Sequence, residues 1–215
     1  MLQAKKVESP KLVIFFGTDG VGKSTLAKML ADTFSKNGED VKVRWMRGMH
    51  TLASVVAKFF SHFNTFRGGN NPYYQIGIPR RLTRVWQLIE FGSALPIILF
   101  RVVLPLAFGA RIVAERFTVD LLAWIADTSN DRSYLYTTEA RFLLALASKA
   151  DVKVHVTASI EELSKRRRLD EAFIRRQLRT YSLLSSMMEA YSLDTTGKSV
   201  DQSFDELEAL VQGIL

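Results

Sequence analysis

Apolar positions along this chain fall into two rhythms: short unbroken runs that predict strands, and longer stripes at helical spacing. The first run, residues 11–16, holds Leu12-Val13-Ile14-Phe15-Phe16 and predicts a strand. Leu26, Met29 and Leu30, with Ala27 and Ala31, then mark one face of a helix reaching about Ser35. Residues 36–40 form a turn with Gly38 in the helix-stop position. A second strand is predicted over 41–46, ending at Arg47-Gly48. Residues 51–63 carry Leu52, Val55, Val56, Phe59 and Phe60 at helical spacing, and 64–79 is a loop rich in Gly, Asn, Pro and Tyr. That loop reads equally as a surface excursion or a functional flap.

Residues 80–95 predict a helix with Leu82, Trp86 and Ile89 on its core face and Arg84, Gln87 and Phe91 on another. A further apolar helix or half-helix runs to Phe108. A third strand over 110–114 ends at Glu115-Arg116, a helix follows over 118–126, and another covers 138–148 with Thr137 or Thr138 as its cap. Residues 152–156 read as the fourth strand, 160–168 and 171–191 as helices, and 192–196 as a short fifth strand. Ser203-Phe204-Asp205-Glu206 has the pattern of a capping box opening a last helix. Strands alternating with helices imply a parallel sheet covered on both faces, in one domain spanning 1–215.

Between the first strand and first helix lies Gly17-Thr18-Asp19-Gly20-Val21-Gly22-Lys23-Ser24, which fits G-x-x-x-x-G-K-[ST]. Glycines let successive N–H groups point into one concavity, and the following helix adds its positive end. Lys23 supplies a mobile charge for outer phosphates, and the Ser24 hydroxyl suits Mg²⁺. The strand–loop–helix setting is the one this motif needs to bind nucleotide phosphates.

Composition narrows the rest. The 215 residues suffice for one substantial α/β core. The net charge of +7 favours polyanionic partners, a need nucleotides meet as well as nucleic acid does. There is no cysteine, hence no disulfide framework or thiolate chemistry. His50, His62 and His155 are scattered and form no metal cluster, and His155 is expected to be structural. The polar N-terminus lacks a signal-like core, and residues 95–109 are too short and interrupted by Pro96, Arg101 and Pro105 for a membrane span. The expectation is a soluble, cytoplasmic protein with no stable membrane insertion.

Asp19, Arg47, Glu115 and Arg116 all fall at the carboxyl ends of predicted strands, where open α/β sheets bind ligands. A basic stretch, Lys165-Arg166-Arg167-Arg168 with Arg175, Arg176 and Arg179, has two readings. One is an exposed helix held by pairs such as Glu171 and Arg175; the other is a mobile lid whose arginines close over a transferring phosphate.

Several of these residues together resemble a thymidylate kinase. The likeness lies in Phe15–Thr25, in Glu115-Arg116-Phe117 (where that family has Asp-Arg-aromatic), in Ala123-Trp124, in Phe91 placed 24 residues before Glu115, and in Arg166–Arg168 with Tyr181. The resemblance implies a three-layer P-loop fold with a five-stranded parallel sheet in order 2-3-1-4-5, helices on both faces, and a short basic lid near 165–176. It implies that Gly17, Thr18, Asp19, Gly20, Val21, Gly22, Lys23, Ser24 and Thr25 bind ATP, with Ser24 and Glu115 serving Mg²⁺. It implies that Asp19 meets the acceptor's sugar hydroxyl, Arg116 and Arg47 its phosphate, Phe91 its base, and that Trp124 walls the sugar pocket. The catalytic set is then Lys23, Arg116, Arg166, Arg167 and Arg168, since Gly20 stands where some members carry a loop arginine. The reaction would be ATP-dependent phosphorylation of dTMP. Another nucleotide or nucleoside acceptor is one rival, and a non-catalytic nucleotide-binding or nucleic-acid-associated ATPase is another.

The chain also departs from that family. Leu95 stands where an arginine reads the thymine edge, leaving Gln87 as a candidate base contact. Residues 49–80 form a variable insertion. The helices near 83–108 are more apolar than an exposed surface requires, for which a homodimer is the simplest account. No nucleic-acid partner is expected.

Overall fold

A run of five apolar residues has no polar face to turn to water, so it belongs inside a sheet covered on both sides. The computed structural model describes residues 10–46, 52–66, 76–166 and 171–214. In it, β1 (Leu12–Phe16) is buried throughout and lies at the centre of five parallel strands. The others are β2 (Val41–Trp45), β3 (Arg111–Glu115), β4 (Val152–Thr157) and β5 (Tyr191–Asp194), in the order β2-β3-β1-β4-β5. Phe15 lies opposite Glu115 and Phe16 opposite His155. The register therefore brings the ends of β1, β3 and β4 to one edge.

Alternation along β1 builds two cores. Val13 and Phe15 pack with Leu26 and Leu30 of α1 (Lys23–Lys36) and with Leu207 and Val211 of α9 (Val200–Ile214). Leu12, Ile14 and Phe16 face α3 (Thr83–Ile98), α5 (Thr118–Thr128), α6 (Thr138–Ser148) and α8 (Glu171–Met187). The result is three layers, a parallel sheet with helices on both faces. α2 (Leu52–Phe60), α4 (Leu104–Ala107) and α7 (Ile160–Arg166) complete the α-helices among the described residues. A satellite core joins Ala53 and Ala57 of α2 to Ile76 and Trp86.

Four sequence expectations are corrected. The segment expected to break near Leu95 is one helical rod, Arg80–Ala107, with Pro96 inside α3 and a π-helical segment, Leu99–Val103, between the two prolines. The wider π turn lies where the proline rings and missing N–H groups disturb the ladder. The core face of α3 is Trp86, Gln87, Glu90 and Ala94, whereas Leu82 is exposed. α8 ends at Met187, four residues before its expected end, because Glu189 takes a left-handed backbone (φ 51°) and Ala190 N–H closes on the Ser185 carbonyl. The last helix opens at Val200. Its cap is Ser199, which exchanges hydrogen bonds with Gln202 (3.1 and 2.9 Å), so Ser203 lies within the helix.

Candidate functional site

The turn from β1 into α1 requires glycine for a steric reason. Gly17 has φ 140°, and a Cβ there would stand 2.1 Å from the Val156 carbonyl oxygen of β4. Gly20 and Gly22 also have positive φ (94° and 96°), which shapes the loop before α1 begins at Lys23. Lys23 is buried, and its Nζ donates to the carbonyls of Gly17 (2.6 Å) and Thr18 (2.7 Å). Burial lowers its pKa to about 8 against the pull of Asp120, so it stays charged at neutral pH. The loop, its lysine and the helix start form a concave cationic cradle of the kind that holds phosphate.

Two neighbouring strand ends supply the acids and a second cation. Ser24 Oγ donates to Glu115 Oε1 (2.6 Å), joining the first turn of α1 to the end of β3. Arg116 follows in a left-handed conformation (φ 59°) that sends its side chain back across the loop. Its guanidinium bonds to Asp19 and lies 3.6 Å from Asp120 and 3.7 Å from Glu115. Burial opposes its charge, but Asp120 and Asp19 outweigh burial and push its pKa up. Asp120 is buried. Burial raises it to about 6, held down by Lys23 and Arg116, and Tyr181 donates to it (2.8 Å). A chain from Tyr181 through Asp120 and Arg116 to Asp19 thus fixes the site. The sequence reading did not single out Asp120. Its signal was the i, i+4 spacing to Arg116 within an otherwise apolar first turn of α5.

Arg166, at the end of α7, reaches the loop from the far side. Nη1 donates to the Gly20 carbonyl (3.3 Å), and Nη2 bonds to Glu162. Beside it a cavity of about 250 Å³ is lined by Val21, Gly22, Arg166, Thr195, Lys198 and Val200, among others. Thr195 Oγ1 donates to the Val21 carbonyl (3.2 Å), tying the segment after β5 to the phosphate loop. Thr195 and Lys198 are further residues the sequence reading missed. They too follow the carboxyl end of a strand, the position where ligands gather.

The remaining described site residues make contacts of their own. Gln87 is buried and donates to Asp131 (3.0 Å) and Ser129 (3.4 Å), so its amide N–H groups are spent on structure. Phe91 is half-buried, edge-on to Phe142 with ring centres 6.1 Å apart. Trp124 donates to Glu90 Oε1 (3.2 Å). Arg47, Arg167 and Arg168 lie outside the described residues.

Among the described residues no cluster of three or more His, Cys, Asp or Glu could hold a metal alone. The Ser24 hydroxyl and Glu115 carboxylate nevertheless form an oxygen pair suited to a hard cation that takes its other ligands from phosphate and water. No protein-family model matches this sequence, and no curated protein matches it. The fold does match a solved one. A thymidylate kinase from Candida albicans, whose structure was described for the origin of its broad substrate specificity and a novel structural element, aligns with a TM-score of 0.64. The alignment covers 95% of this chain and 92% of that one at 16% identity, a likeness of fold.

Proposed function

We propose that this chain transfers the γ-phosphoryl group of ATP to a nucleoside monophosphate, with dTMP as the acceptor. The observation that carries the reading is the convergence on one sheet edge of the Lys23 cradle, the Ser24–Glu115 oxygen pair and the Arg116–Asp19 pair. A phosphate-binding ATPase needs the first two. The third adds a fixed cation and a hydroxyl acceptor beside the place where a second phosphate would arrive.

In the reaction an acceptor phosphate oxygen attacks the γ-phosphorus, the bond to the β–γ bridging oxygen breaks, and ADP leaves. Little covalent work falls to the protein; positioning and charge neutralisation dominate. Mg²⁺, when bound, would offset charge on the phosphate oxygens. Lys23 exchanges the Gly17 and Thr18 carbonyls for phosphate oxygens, a better partner for a buried ammonium. Arg116 orients the acceptor phosphate, held in place by Asp120. Arg166, already at the Gly20 carbonyl, supplies the cation that Gly20 cannot.

A second reading has specific support. Leu95 brings no donor to a base, and Gln87 is committed to Asp131 and Ser129. Both favour a different acceptor on the same catalytic frame. ADP formation measured with ATP, Mg²⁺ and each monophosphate in turn separates the two. Turnover on dTMP alone supports the first, turnover on another monophosphate the second. ATP hydrolysis indifferent to every monophosphate overturns both.

A further inference from the structure

Residues 41–114 hold ten Lys and Arg against one acid, Glu90, so this stretch carries more positive charge than the whole chain's +7. Glu90 is only 1% exposed, and the carboxylates that reach this stretch come from outside it: Asp40 pairs with Lys42, Glu139 with Arg84 and Glu39 with Arg111. The same stretch exposes large apolar side chains. On α2 the small residues Ala53 and Ala57 face inward while Leu52 (66% exposed), Val55 and Phe59 face water. On the neighbouring rod Val85, Leu88 and Phe100 (67%) do the same. The two helices lie side by side, the Phe60 ring 6.3 Å from Trp86. Lys58, Arg80, Arg81 and Arg101 are exposed on the same segments. Large apolar side chains left in water in such number are costly unless something covers them.

We propose that the outer faces of α2 and α3, with the basic residues beside them, form a docking surface for the anionic face of a lipid bilayer. Charge and hydrophobicity choose the occupant together. A second copy of the chain meeting this face across a two-fold axis would set basic residues against basic residues. Nucleic acid would match the charge but has no use for Leu52, Val55 and Leu88. An anionic bilayer matches both, taking aliphatic and aromatic side chains at the acyl boundary and basic ones at the headgroups. By length and composition Arg80–Ala107 could cross a membrane. However, Trp86, Gln87, Glu90 and Ala94 are buried on its inner face, and Gln87 and Glu90 are bonded to Asp131 and Trp124. The rod therefore lies along the surface with its outer stripe toward lipid.

The test is co-sedimentation of the full chain with vesicles of phosphatidylcholine alone and of phosphatidylcholine mixed with phosphatidylglycerol. Binding is expected only to the mixed vesicles, weakening as salt rises. The pair Val55→Ser with Phe59→Ser, and separately Arg80→Gln with Arg81→Gln, should each lower partitioning by about tenfold or more. Activity in lipid-free solution should be unchanged in both, since neither touches the phosphate cradle. Failure to bind either vesicle, or equal binding to both, overturns the proposal. So does a stable dimer in sedimentation velocity that Phe59→Ser dissociates, because a second copy then owns the face. Duplex DNA binding that falls with the arginine pair, with no vesicle binding, likewise overturns it.

Discussion

Around the phosphate loop, charge is dense and matched within the protein. Lys23 and Arg116 face Asp19, Glu115 and Asp120, and each is held by hydrogen bonds or contacts shorter than 4 Å. On α2 and α3 the balance is reversed: basic residues stand without carboxylates from their own stretch, and large apolar side chains face outward. The first region is preorganised, so it can act on a small, highly charged ligand without reorganising. Arg84 of α3 is paired with Glu139, but Lys58, Arg80 and Arg81 stand exposed beside outward apolar side chains, a combination suited to something extended. On the two proposals made above, one edge of the sheet does chemistry and the adjoining helical shoulder decides where it happens.

The sharpest way to break the contrast is at the preorganised side. Lys23→Ala should lower kcat by about a thousandfold or more with the far-UV spectrum unchanged, because transition-state charge then loses its buried cation. A variant retaining kcat within a few-fold would remove the cradle from the mechanism. Arg166→Ala should follow at about a hundredfold in kcat with ATP affinity nearly kept, the pattern of a contact made in the transition state. An equal loss in KM instead would place Arg166 in ground-state nucleotide binding beside Thr195 and Lys198.

Stability should respond next. Gly17→Ala forces a Cβ against the Val156 carbonyl at a backbone angle alanine avoids. A loss of about 3 kcal/mol is expected, some 10 °C in Tm for a chain of this size. Gly22→Ala has similar backbone strain but open space around its Cβ, so it should cost less, about 1–2 kcal/mol. Equal losses would mean that conformation alone, not the approach of β4, demands glycine at the loop's start.

The two regions were also unequally legible in the sequence. Five apolar residues followed by a glycine-rich loop and Lys23-Ser24 admit few structures, so β1, α1 and the parallel sheet could be read directly, and the ends of β3 and β4 fell near their expected positions. The links that complete the site could not be. Asp120 and Tyr181 are 61 residues apart, and their hydrogen bond depends on how α5 packs on α8. On α3, helical spacing pointed to Leu82, Trp86 and Ile89 as the inward face, and of these only Trp86 is buried. The answer ran against side-chain size and polarity: Gln87 and Glu90 are buried, while Leu82, Val85 and Leu88 are out. Periodicity locates a face; partners such as Asp131 and Trp124 decide its direction. The end of α8 was missed for a local reason, since Glu189 takes the left-handed conformation where no glycine announces it.

Glu90 gives the most discriminating effect, one that vanishes at low pH, because it is the only acid of the basic stretch and it is turned away from that surface. Burial raises its pKa from an ordinary 4.5 to about 7, opposed by the hydrogen bond from Trp124. The folded state therefore holds a proton that the unfolded chain releases above pH 4.5. By linkage, its contribution to stability is greatest below pH 4.5, falls as pH rises toward 7, and is constant beyond. The full penalty is about 3 kcal/mol as an upper bound. Glu90→Gln keeps an oxygen for Trp124 and cannot ionise. It should raise Tm by about 3–9 °C at pH 8 relative to the parent and leave it nearly level at pH 4.5. Asp120 and Asp127, also raised by burial, add slope of the same sign to both proteins, so the difference between the two melts isolates Glu90. A difference that does not change with pH would show that Glu90 does not titrate differently on folding. The stretch would then carry a real negative charge within its core, partly offsetting the positive face opposite, and the argument for an acid-free shoulder would rest on Arg80, Arg81 and their neighbours alone.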